Sequence, residues 1–77
     1  MIRTKIKLNT IADVQEFVNL MMRMPARADL ASDGYIVNAA SLMGIMTLNH
    51  SRPAELVIYT DEIPGFLRND LQKFVVK

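Results

Sequence analysis

"VNAASLMGIMTLN", residues 37–49, sets Leu42, Met43, Ile45, Met46 and Leu48 three and four positions apart. Such spacing belongs to a helix, whereas a strand would alternate the side chains, and in so short a helix only part of the apolar surface can be buried. Ser41 falls in the first turn, and Gly44 lies inside the helix despite its low propensity. "VN" at the front of the stretch belongs to whatever element comes before.

That element is one arm of a hairpin. "ARADLAS-DG-YIVN" (26–38) places Asp33-Gly34 between two runs, and the pair supplies the positive φ angles of a tight turn. The first arm, "ARADLA", also has good helix propensity, so the turn decides the reading. Further upstream, "NTIADVQEFVNLMMRM" (9–24) spaces Ile11, Val14, Val18 and Met21 by three and four, with Phe17 beside them. This is an amphipathic helix. Thr10 and Asp13 have the form of a capping box at its start, and Pro25 stops it. "IRTKIKL" (2–8) alternates Ile2, Thr4, Ile6 and Leu8 with Arg3, Lys5 and Lys7, the period of an antiparallel strand with one wet face.

Downstream, "AELVIYT" (54–60) is rich in β-branched and aromatic residues and reads as a strand. "DEIPGFLRNDLQKFVVK" (61–77) opens with acids and with Pro64 at a helix start. Ile63, Phe66, Leu67, Leu71, Phe74 and Val75 are its expected buried face, with Lys73 and Lys77 at the negative end of the dipole. The order βαββαβα predicts a two-layer α+β domain spanning 1–77, four strands with helices on one face. Periodicity leaves two arrangements open, a ferredoxin-like sheet and the open-faced sandwich of the phosphocarrier HPr.

With 77 residues the chain sits near the lower limit for a single unstapled core, and it has no Cys. Disulfides and thiolate chemistry are therefore excluded, which fits a reducing compartment. A net charge of +1 gives no field to draw nucleic acid or an anionic membrane. No apolar run reaches the about 18 residues a bilayer requires. The alternating start does not look like a signal peptide, so a cytoplasmic location is expected. One His and no Cys indicate no metal centre and no cofactor. Asp13, Glu16, Asp61, Glu62 and Asp70 show no pairing for acid–base catalysis, and no enzyme activity is expected.

The stretch 37–49 resembles the most recognisable part of HPr, the histidine phosphocarrier of the bacterial sugar phosphotransferase system. There a V-N-x-K-S-[IL]-M-G-[IV]-M-[ST]-L pattern surrounds a regulatory serine. From Phe17 to about Thr60 the chain follows the family pattern without a gap, including "FVN" (17–19) and the "DGY" turn (33–35). The resemblance implies the HPr sandwich with strand order 1-4-2-3. Carried backwards, it puts the family's active-site histidine at Thr10, its arginine at Ala12 and its proline at Asp13. None is preserved, so the resemblance is to a divergent member without the carrier histidine.

Residues 50–54, "HSRPA", imitate the missing motif out of place. A phosphorylated histidine of this family sits at a helix N-terminus, but His50 is followed by a strand. It is read as a loop residue whose likeness to the motif is accidental.

Ser41 holds the position that, in HPr of many Gram-positive bacteria, an ATP-dependent kinase phosphorylates. Without the resemblance it would simply cap a helix. Ala40 replaces the usual lysine. Leu42, Met43 and Met46 correspond to the family's docking patch, with Ile45 and Leu48 expected in the core. The expected role is regulatory or scaffolding, like the HPr-like paralogues that lack the histidine and keep the serine. Partners would be proteins of the phosphotransferase system or a serine kinase. A phosphocarrier using His50 or another unexpected residue, and a binding module that has left the pathway, are the alternatives.

Overall fold

The computed structural model describes residues 1–76. Its elements run β1 (Ile2–Ile6), α1 (Ile11–Met22), β2 (Ala28–Ser32), β3 (Tyr35–Asn38), α2 (Leu42–Met46), β4 (Ala54–Ile58) and α3 (Gly65–Leu71), with a 3₁₀ turn at Gln72–Phe74. The strands form one antiparallel sheet in the order β1-β4-β2-β3. That order separates the two arrangements left open by periodicity, because a ferredoxin-like sheet would run 4-1-3-2.

The register explains the two faces. Thr4 lies opposite Leu56, which lies opposite Leu30, which lies opposite Val37. This row points at the helices. One residue along, Lys5, Glu55, Ala31 and Ile36 form a row on the open face. The core is a single cluster joining Ile6, Leu30, Leu56 and Ile58 of the sheet to Phe17, Ile45, Leu67 and Phe74 of the helical layer. Phe17 meets Phe74 edge to face, with centroids 5.6 Å apart. At the hairpin, Asp33 has φ 50° and Gly34 φ 84°, the left-handed pair that matches strand twist. "ADLAS" is a strand despite its helix propensity, since pairing on both sides of β2 outweighs that weak preference.

Several expectations change. Phe66 is exposed, not buried. The inward stripe runs from Leu67 and Leu71 of α3 to Phe74 of the 3₁₀ turn, and Phe66 lies one residue, about 100° of helical turn, away from it. Arg23 instead stacks its guanidinium over that ring at 5.8 Å. Ile11 is exposed as well, because it is the first helical residue of α1 and stands at the rim of the core. Val75 is half-buried but not helical. Its backbone bridges Ile6, while Lys7 N–H donates to Phe74 O and Val76 N–H to Lys5 O, each at 2.9 Å. The Phe74–Val76 segment thus lies along the outer edge of β1. Leu8 is buried beyond the end of β1, Pro64 is the N-cap of α3, and Lys77 falls outside the described residues.

Candidate functional site

The site is built around α2. Ser41 is its N-cap rather than a residue of its first turn, and the hydroxyl accepts the Gly44 N–H at 3.1 Å. Just upstream, Asn38 orients the entry: its side-chain oxygen takes the Ala40 N–H at 2.8 Å and its carbonyl the Ser41 N–H at 3.0 Å. Gly44 stands where space is tight. A Cβ there would lie 3.1 Å from Ser41 Oγ and 3.2 Å from Val37 Cβ, so the missing side chain lets α2 settle against β3. Ile45 and Leu48 are buried, whereas Leu42, Met43 and Met46 are exposed.

The far end of α2 is closed by side chains. Thr47 donates its hydroxyl to Gly44 O at 2.6 Å, and His50 Nε2 lies 2.9 Å from Ile45 O. A carbonyl only accepts, so Nε2 carries the proton. Lys7 Nζ donates to His50 O at 2.9 Å and to Asn9 Oδ1 at 3.1 Å, tying this loop to the segment before α1.

That segment ends in Thr10, the N-cap of α1. Its hydroxyl accepts the Asp13 N–H at 3.0 Å, and Asp13 Oδ2 accepts the Asn9 N–H at 3.0 Å. The capping box expected from the sequence is therefore present, with its return bond shifted by one residue. Thr10, Ile11, Val14, Met46 and His50 share a depression of about 180 Å³. His50 is a loop residue, as its surroundings in the sequence suggested. Although a strand follows it in sequence, a helix N-terminus does stand near it in space, because the first turn of α1 lines the same depression. The sequence carried no signal of this proximity, which depends on tertiary packing.

Sequence reasoning also missed the open face of the sheet. Asp29 is buried there, held by Tyr59 Oη at 2.9 Å and Arg27 Nε at 3.3 Å. The hydrogen bond to Asp29, then partial desolvation and the carboxylate charge, hold the Tyr59 phenol above its ordinary pKa. A raised folded-state pKa gives stability that is complete below the unfolded value and is lost as pH rises through the folded one. Wild-type protein is therefore expected to lose more of its urea midpoint between about pH 9 and 11 than Tyr59→Phe does. Equal losses would show that this hydroxyl contributes nothing to alkaline sensitivity.

A second groove, between α1 and α3, is about 290 Å³. Ion pairs cross it, Glu16 with Lys73 and Arg23 with Asp70 at 3.7 Å. Among the described residues no cluster of His, Asp or Glu is placed to hold a metal, and no helix is long and apolar enough to cross a membrane.

One solved structure, HPr-C-His from Thermoanaerobacter tengcongensis, superimposes with a TM-score of 0.75 over 95% of this chain and 89% of that one, at 22% identity. The chain has an HPr-like fold. No family model and no curated protein matches the sequence. In the setting of that fold, the strand order, the three helices and the short α2 all take the places that the resemblance of residues 37–49 implied.

Proposed function

We propose that this chain is a regulatory or scaffolding relative of the sugar phosphotransferase carriers, not an enzyme and not a phosphohistidine carrier. It works in the cytoplasm by docking proteins on α2, with Ser41 as its phosphorylation site. Proteins of the phosphotransferase system or a serine kinase are the partners that fit. The observation supporting this most is the division within α2: Ile45 anchors the helix in the core, while Leu42, Met43 and Met46 stand out beside the Ser41 cap. Methionine suits such a face because it adapts its shape to different partners.

The chemistry is a simple transfer. Ser41 Oγ attacks the γ-phosphorus of ATP, ADP leaves, and the hydroxyl proton passes to a base on the kinase. The product adds nearly two negative charges beside Leu42, Met43 and Met46. An ester oxygen or a phosphoryl oxygen can keep the Gly44 N–H that the hydroxyl now accepts, so the fold need not move. The change lies in partner choice, from apolar surfaces toward those carrying arginine.

Incubation with ATP and an HPr-directed serine kinase is expected to give an acid-stable phosphate, absent from Ser41→Ala. Phosphate persisting in that variant would overturn the assignment. So would no modification under conditions that modify ordinary HPr, and Ala40 in place of the family lysine would then be the first residue to restore.

A second reading, phosphotransfer through His50, draws on the depression that this residue shares with Thr10 at the start of α1. The hydrogen bonds there argue against it. Thr10 and Asp13 already occupy the Asp13 and Asn9 N–H groups, and the Asp13 carboxylate would repel a phosphoryl group.

A further inference from the structure

We propose that Met43 and Met46 form a peroxide-sensitive site, at which oxidation turns the apolar face of α2 polar without unfolding the domain. The chain has six Met and no Cys, so thioethers are the groups a peroxide would oxidise and no thiol competes for it. The fold sorts those methionines. Met21 is 4% exposed, packed on the inner side of α1, and Met24 is partly buried against the core. Met43 is 81% and Met46 53% exposed, three residues apart on the same helix. Met1 and Met22 are exposed too, but neither belongs to α2 or borders Ser41.

The step balances without any group from the protein beyond the sulfur. The thioether sulfur attacks one oxygen of the peroxide, the O–O bond breaks, and the sulfide becomes a sulfoxide while the peroxide is reduced to water or an alcohol. A flexible apolar side chain becomes a polar one with a strong acceptor oxygen. Neither Met43 nor Met46 belongs to the core cluster, so the packing that holds α2, Ile45 against the sheet and Gly44 against Val37, is left intact. Methionine sulfoxide reductases would reverse the change. The consequence for docking rests on the function proposed above; the chemistry does not.

The test treats folded protein with hydrogen peroxide and follows each methionine by peptide mass spectrometry, alongside native hydrophobic-interaction chromatography. Met43 and Met46 are expected to oxidise at least about tenfold faster than Met21. Oxidised wild type should elute earlier, and both reductase types together should restore its retention. Met43→Leu/Met46→Leu, which keeps the apolar face, should hold its retention through the same treatment although Met1 and Met22 still react. Met21 reacting as fast as Met43 would overturn the proposal, since oxidation would then follow unfolding. An unchanged shift in the leucine variant would overturn it as well. If the retention shift appears while Ser41 takes no phosphate, the oxidation site stands and the regulatory reading falls.

Discussion

Phe17→Ala is expected to destabilise the domain by about 3–5 kcal/mol, the cost of removing a buried aromatic ring and leaving a cavity. Phe17 is fully buried in the middle of α1, and its ring meets Phe74 at an interplanar angle of 85°. It joins the first helix to the chain's last turn, so its loss loosens both. A domain of this size has only about 4–12 kcal/mol to lose, so this one substitution removes a large share of the whole. Phe66→Ala provides the contrast. That ring is exposed with only the Arg23 stack to lose, so its cost should stay below about 1 kcal/mol. Urea unfolding followed by circular dichroism measures both, with the slope confirming that the midpoint shift is one of stability. Similar midpoints for the two variants would mean that the core is not centred on Phe17.

Phosphoenolpyruvate and enzyme I are expected to leave this protein without an acid-labile phosphate under conditions that fully load ordinary HPr. The resemblance assigns the carrier position to Thr10, whose hydroxyl is turned to its own helix and whose phosphate would be a stable ester unsuited to onward transfer. His50 is the only imidazole available. Its Nε2–H holds the carbonyl of Ile45, and the Lys7 ammonium that reaches its loop is already bonded to His50 O and Asn9 Oδ1. Phosphorylation at Nε2 would break a bond that closes the end of α2. Acid-labile phosphate abolished by His50→Ala would overturn this account and restore transfer through the depression beside α1.

Local signals in the sequence carried most of the fold. Alternation in Ile2, Thr4 and Ile6, the helical stripe from Val14 to Met21, and the Asp33-Gly34 turn each act over a few residues. Each survives in the structure as read. Strand order is a property of the whole chain, and only the resemblance of residues 37–49 predicted it. Errors fell where a side chain's fate depends on a distant element. Phe66 satisfied the composition of a buried face but not its angle, and Val75 left the helix because the open edge of β1 offered it backbone partners. Asp29 reads as an ordinary wet position until Tyr59 and Arg27 close over it. At the candidate site, the exposure of Met43 and Met46 followed from the shortness of α2, whereas the depression that His50 shares with Thr10 left no mark in the sequence.

The bridge between Ile6 and Val75 bears on how the domain comes off the ribosome. β1 is made well before its two neighbours, β4 on one side and the Phe74–Val76 segment on the other. No partial chain lacking the last turn can satisfy the outer edge of its first strand. Long-range pairing of this kind slows folding, because the loop between the partners must be closed before any contact repays it. During synthesis β1 therefore stays an unpaired, alternating apolar strand until β4 and Phe74–Val76 have followed it out of the exit tunnel. Arg3 and Lys5 along that strand, with Lys7 just past its end, keep it charged and apart from other chains during the wait.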